Sequence, residues 1–215
     1  MIIRYLGHAA FLIITQNGTN IITDPYNTAG YGASFRYETI EEKADIVTVS
    51  HAHNDHNFGE VKGNPVYVRD TGKTVVKTVV VNGIAAYHDD KKGQARGGNT
   101  IFNIETDGLH VVHLGDLGHT LTADDIRKIG PVDILLIPVG GTYTIDPDMA
   151  DTVVSTLKPK IVIPMHYKTD KCSFPILSVE DFLKNKKYEH INGDLEIKAD
   201  QLPDSIALYL LDHTK

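Results

Sequence analysis

The stretch Asp45-Ile46-Val47-Thr48-Val49-Ser50, followed at once by His51-Ala52-His53-Asn54-Asp55-His56, carries the first decision about the fold. Its first half is dominated by β-branched residues and reads as a strand buried on both faces. Its second half places four metal-ligating side chains within six residues. A strand end passing into a turn can aim such side chains into one cleft. Imidazole and carboxylate together suit zinc, iron, nickel or manganese. The close spacing allows His51 and His53 to grip one ion while Asp55 and His56 face another. The alternative is a polar turn that is rich in histidine by chance, and the density of ligand types counts against it.

Working outward, residues 2–6, 10–15 and 20–23 read as consecutive strands, with Gln16-Asn17-Gly18-Thr19 as a hairpin turn. Residues 24–37, rich in Gly, Asn, Tyr and Ser, read as a loop. Short strands are expected at 65–69, 74–81 and 84–88, and a second set follows Gly97-Gly98 at 100–106 and 109–114. Helical spacing covers 121–129, where Thr122 followed by Asp125 makes a start signal. A strand at 134–139 comes next, then a helix at 148–157 that Pro159 brings to an end. The chain finishes with a strand at 161–164, a helix at 178–185 and strands at 194–198 and 205–211. This alternation predicts an α/β layered domain over residues 1–215, two sheets face to face with helices outside.

Composition narrows the function. A chain of 215 residues with 41% hydrophobic residues can bury its core without a structural metal, so a metal here would be functional. A net charge of −7, with no lysine or arginine stripe, argues against a nucleic-acid partner held by its backbone. No apolar run approaches the roughly 20 residues needed to span a bilayer. Cys172 is the only cysteine, which excludes an internal disulfide and reads as a small buried hydrophobe. The amino terminus reads as a strand start and not as a signal peptide, so a cytoplasmic protein is expected.

The run His51 to His56 matches the H-x-H-x-D-H signature of the metallo-β-lactamase superfamily, and other segments resemble that family's remaining motifs in the same order. The resemblance implies a four-layer αββα sandwich with two divalent metal ions, zinc as the first choice and manganese, iron or nickel as alternatives. It implies His51, His53 and His88 on one metal, Asp55, His56 and His166 on the other, and Asp116 bridging. Asp24 would brace the ligand loop. The third histidine of the first site is open between His88 and the neighbouring His110, His113 and His119, and His113 could instead orient the site from behind. The segments Leu6-Gly7-His8-Ala9-Ala10-Phe11 and Pro164-Met165-His166-Tyr167 look most like the branch that contains L-ascorbate-6-phosphate lactonase. In that setting His8 and Tyr167, with Lys168, could contact substrate, whereas His110, His190 and His213 read as surface residues.

Such a site implies a metal-dependent hydrolase in which a metal-bridging hydroxide, oriented by Asp55, attacks an ester, lactone, amide or phosphodiester of a small molecule. A metal-binding or sensing protein without efficient catalysis is the alternative. The loops 25–40 and 89–98 are the expected walls of the cleft. A homo-oligomer burying an edge strand would fit the same pattern.

Overall fold

The computed structural model describes residues 1–215. The first half of the chain contains β1 (Ile2–Gly7), β2 (Ala10–Ile14), β3 (Asn20–Thr23), β4 (Ile46–Thr48), β5 (Val66–Val68), β6 (Gly72–Val76) and β7 (Val79–Tyr87). Then come β8 (Gly98–Thr106), β9 (Leu109–His113), α1 (Ala123–Ile129), β10 (Ile134–Pro138), α2 (Pro147–Leu157) and β11 (Ile161–Met165). The last elements are α3 (Val179–Leu183), β12 (Glu189–Ile191), β13 (Leu195–Glu196) and β14 (Ala207–Leu211).

Period-two alternation sorts the apolar residues of the first strands onto two faces. Ile3, Tyr5, Phe11, Ile13, Ile21 and Ile46 enter the main core, which they share with the second sheet. Leu6, Ala10, Leu12, Ile22 and Val47 face the other way, into a second core. The strands assemble as a six-stranded mixed sheet, β13-β1-β2-β3-β4-β5, against an eight-stranded mixed sheet, β12-β14-β11-β10-β9-β8-β7-β6. Phe11 and Phe102, one from each sheet, are fully buried in the main core, and each such ring contributes about 1.5–3 kcal/mol.

The outer layers differ. Helix α1 lies against β7 and β8, and α2 packs beside α3, burying Ala150, Val153 and Phe182 in the main core. Over the six-stranded sheet the covering is aromatic loop: Tyr26, Phe35, Tyr37 and Ile40, with Cys172, fill the second core. The segment that reads as a bare loop is therefore a packed layer, because its aromatic residues supply the apolar area that a helix would otherwise bring.

Most expected elements are present, and the differences have local causes. The capping box at Thr122 and Asp125 starts α1 as predicted. The strand expected at 74–81 is cut by a two-residue turn at Lys77-Thr78, with Lys77 at φ 54°, and the rest continues as the nine-residue β7. No Gly, Pro or Asn marks that turn, and β-branched residues flank it on both sides. Strand β12, in polar sequence, was not anticipated; it forms because Glu189, His190 and Ile191 pair in parallel with β14. The expected strand at 194–198 shrinks to Leu195–Glu196.

This topology brings chemistry-bearing residues to one edge of the sandwich. Asp24 follows β3, His51 to His56 follow β4, His88 follows β7, Asp116 follows β9 and His166 follows β11. Each sits just beyond the carboxyl end of its strand, and His8 occupies the turn between β1 and β2.

Candidate metal centre

Asp116 stands at the middle of this edge. Its Oδ2 lies 3.1 Å from His88 Nε2, 3.3 Å from His166 Nε2 and 3.8 Å from His51 Nε2. Its Oδ1 lies 3.2 Å from His56 Nε2. On one side the ligand atoms of His51, His53 and His88 all fall within 4.8 Å of one another, and on the other those of His8, Asp55, His56 and His166 do the same. Of the four histidines open for the first group, only His88 joins it. His113 sits behind, with Nε2 2.9 Å from the Ala9 carbonyl, and His119 accepts from the Tyr87 N–H.

The residues beneath fix the direction of two of these rings, His51 and His56. Asp24 is fully buried and receives the Ser50 N–H at 2.7 Å and the Ser50 hydroxyl at 2.5 Å. An ionised carboxylate only accepts, so the Ser50 proton points to Asp24 and its oxygen accepts from His51 Nδ1, 2.9 Å away. His56 Nδ1 donates to the same carboxylate at 2.8 Å. Both rings thereby carry their proton on Nδ1 and turn the Nε2 lone pair toward Asp116. Burial pushes the Asp24 carboxyl up, and His113, His56 and His51 outweigh it, so the carboxylate stays charged.

A cation fits this arrangement. His51 Nε2, His56 Nε2 and Asp116 Oδ1 are buried and have no hydrogen-bond partner. Leaving buried polar atoms unmatched costs free energy, and one positive ion can meet several at once. The protonation states agree with that chemistry. Burial, helped by His56, pulls His51 down to about 3, and burial with His166 takes His8 to about 4; both imidazoles are neutral. Burial opposes the charge of Asp116, and His166 and His56 override it, holding the carboxyl well below its usual range. Burial also lowers His56, but Asp116 and Asp55 raise it far above the ordinary histidine value. Without a metal the two carboxylates thus favour a second proton on its Nε2, and a metal ion would take that proton's place. Neutral imidazole and ionised carboxylate are the forms that bind metals.

The cleft above encloses about 430 Å³ and is lined by His53, Asp55, His88, Asp116 and His166, with Tyr31, Arg96, Tyr143 and Phe174 as walls. Tyr31 comes from the first expected wall loop and Arg96 from the second. Two residues expected to contact substrate lie elsewhere. His8 is fully buried behind Asp55, its Nε2 3.1 Å from Asp55 Oδ2, because a φ of 56° turns the hairpin inward there. Tyr167 is packed against Tyr5, ring centroids 6.3 Å apart, and with Lys168 borders a separate surface depression. The backbone turns at His166, where φ is 52°, and Tyr167 is carried away from the cleft into the core.

Six site residues were not named by the sequence reading: the cleft walls Tyr31, Arg96, Tyr143 and Phe174, and the supporting residues Ser50 and Asn99. Tyr31 donates to Asp55 Oδ1 at 2.8 Å. Ser50 bridges Asp24 and His51, and Asn99 accepts the Asp116 N–H at 2.9 Å while donating to the Leu114 carbonyl. Tyr143 follows β10. Only Ser50 carried a local signal, as the residue between the buried strand and His51.

Backbone contacts hold the ligand turns against each other. A Cβ added at Gly118 would lie 2.4 Å from the His88 carbonyl carbon and 2.4 Å from the Asp89 nitrogen. Gly118→Ala is therefore expected to force the two turns apart, costing about 1–3 kcal/mol and weakening metal retention. Thermal unfolding and metal content of the variant would check this, and a normal melting temperature with full metal would refute it.

Comparisons with known proteins follow the same lines. A model described as the Beta-lactamase superfamily domain matches residues 2–166. A UPF0173 metal-dependent hydrolase of Thermococcus onnurineus is 32% identical over 197 residues, covering 78% of this chain and 84% of its own. A counterpart from Thermococcus kodakarensis is 31% identical with the same coverage. Among solved structures, one from Thermotoga maritima, described as that of a Zn-dependent hydrolase of the metallo-β-lactamase superfamily, is similar at 38% identity and a TM-score of 0.81, covering 98% of this chain and 97% of that one. No helix is long and apolar enough to cross a membrane. The family match over residues 2–166, the shared fold and the identity along most of the chain lead to one conclusion: the chain belongs to the metallo-β-lactamase superfamily, in the group of its UPF0173 metal-dependent hydrolases.

Proposed function

We propose that this chain hydrolyses an ester, lactone, amide or phosphodiester bond of a small molecule with two divalent ions, zinc first and manganese, iron or nickel as alternatives. The observation that carries the reading is the Asp116 carboxylate, 3.1–3.8 Å from four imidazoles that belong to two separate ligand groups. His51, His53 and His88 would hold one ion and Asp55, His56 and His166 the other, with Asp116 shared. Bound there, such ions supply a water that ionises near neutral pH and positive charge for the developing oxyanion.

The protein's own residues orient the reaction. Asp55 is gripped on both oxygens, by Tyr31 on Oδ1 and His8 on Oδ2, so its carboxylate cannot rotate away from the nucleophile's position. His8 acts as a positioning residue for Asp55 from within the core. Burial would favour the neutral carboxyl of Asp55, and His56 with His8 reverses that and keeps it ionised. Tyr31, Tyr143 and Phe174 line the cleft and restrict water around the reacting bond.

The test is metal content by mass spectrometry on protein purified without added metal or chelator, beside turnover of nitrophenyl esters, bis-nitrophenyl phosphate and simple lactones. About two ions per chain and measurable turnover of one class are expected. His53→Ala should lose metal and lower kcat/KM by about 10²–10³-fold, the scale seen when one transition-state contact is removed. Full turnover in His53→Ala, or none in the metal-loaded parent, would overturn the reading.

A further inference from the structure

We propose that Arg96 selects the substrate, and that the cleft takes small molecules carrying a carboxylate or phosphate group apart from the bond that is cleaved. The inference rests on the hydrolytic reading of the cleft and adds its substrate class. Arg96 is the only lysine or arginine that lines it. Arg4 and Arg127 are engaged by the carboxylates of Asp194 and Asp124; Arg96 has no such ion pair, nor have Arg36 and Arg69, which donate to the Asp170 carbonyl and the Asn57 amide oxygen away from the cleft. Its Nη2 donates at 3.0 Å to the Thr142 carbonyl, and its guanidinium carbon stands 5.5 Å from the centre of the Tyr143 ring. One contact of five donors leaves the rest of the fork free for a planar anion, which a guanidinium binds in bidentate fashion.

The position of this charge is built into the loop. The Asp89 carboxylate accepts four backbone N–H groups, from Lys91, Gly93, Ala95 and Arg96 itself, at 2.7–2.9 Å. Gly97 returns to the ligand strand, where its carbonyl accepts from the His88 N–H at 3.1 Å. Arg96 is thus clamped from both sides to the segment that carries a metal-ligating histidine, and its backbone cannot drift relative to the reacting centre. The loop is already ordered for recognition, which reduces the entropy lost on binding. In a protein of net charge −7, an unpaired cation fixed at the mouth of the cleft favours anionic over neutral molecules. Tyr31, Tyr143 and Phe174, which line the same cleft, suit a short apolar or planar body joining the two ends.

The test compares straight-chain dicarboxylates, succinate through suberate, with monocarboxylates of equal length by calorimetry, on the protein as purified and on Arg96→Gln. One carboxylate can reach the metal side in either series, so the ratio of dissociation constants reads the second anion alone. At one chain length the dicarboxylate should bind about tenfold more tightly than its match, as one charged hydrogen-bonded contact provides. In Arg96→Gln that ratio should fall to about one, with monocarboxylate binding and melting temperature unchanged. No gain at any length, or a gain that survives Arg96→Gln, would overturn the proposal. Hydrolysis of a nitrophenyl hemiester against its neutral ester provides the second arm: the variant should lose the preference for the hemiester through KM. Turnover without any dicarboxylate gain would remove Arg96 and leave the hydrolase; a dicarboxylate gain with no turnover of any ester or lactone would remove the hydrolase and leave the anion site.

Discussion

Asp116→Ala is expected to release metal from both ligand groups and to lower kcat/KM by about 10³-fold or more, the largest catalytic effect of any single change in this chain. The reason is position. His88 and His166 each approach the same oxygen of Asp116, at 3.1 and 3.3 Å, while His56 approaches the other at 3.2 Å. In the proposed assignment every other ligand serves one ion, so its loss would leave the second ligand group complete. Removing the shared carboxylate takes a negative charge from both and leaves Asp24 and Asp55 as the only carboxylates beside the imidazoles. Losses of that order follow when a residue acts as part of a catalytic unit. Asp116→Asn separates charge from shape: the amide keeps an oxygen donor but not the anion, and its metal content should fall between parent and alanine variant. Metal stoichiometry and kcat/KM measured on all three proteins would decide. Equal metal content in all three would remove the shared-ligand assignment.

Asp24→Ala is expected to produce the largest loss of stability, about 3–5 kcal/mol, the scale for breaking a buried charged pair. For a domain of this size that lowers the melting temperature by roughly 6–20 °C. Asp24 touches no cleft surface, yet one fully buried carboxylate accepts from Ser50 twice and from His56 once. Without it, the Ser50 N–H, the Ser50 hydroxyl and His56 Nδ1 lose their acceptor inside the protein. The rings of His51 and His56 also lose the contact that sets their tautomer, so metal affinity should fall by about 10–100-fold. Differential scanning calorimetry with metal titration would separate the two effects. A melting temperature within a degree or two of the parent would show that water or a rearranged Ser50 can replace Asp24.

The layered architecture and the His51 to His56 cluster of candidate ligands were legible in the sequence, for a physical reason; the more distant candidates His88, Asp116 and His166 came from the family resemblance. A metal centre needs particular atoms, and only histidine and aspartate among these residues carry them, so the chemistry is written in residue identity. A strand buried on both faces must be apolar throughout, so 45–50 and 134–139 announced themselves by composition, and the capping pair Thr122 and Asp125 marks a helix start by the same local logic. The turn at Lys77-Thr78 escaped because a positive φ at lysine is imposed by the pairing of β6 with β7 and not by local preference. The aromatic layer over the six-stranded sheet escaped because Tyr26, Phe35 and Tyr37 have no periodicity; their burial depends on the sheet beneath them.

What the sequence by itself determined is therefore which residues could hold metal and that two faces of strand would be buried. What only the tertiary structure decided is direction and neighbourhood. His8 and Tyr167 lie next to functional segments in the chain, but one is sealed behind Asp55 and the other turns to the far side. Arg96, Tyr31 and Tyr143, from three separate loops, meet in one cleft. Residue type specifies what a side chain can bind, whereas its partners are set by contacts between strands far apart in sequence, and those exist only once the two sheets have closed on each other.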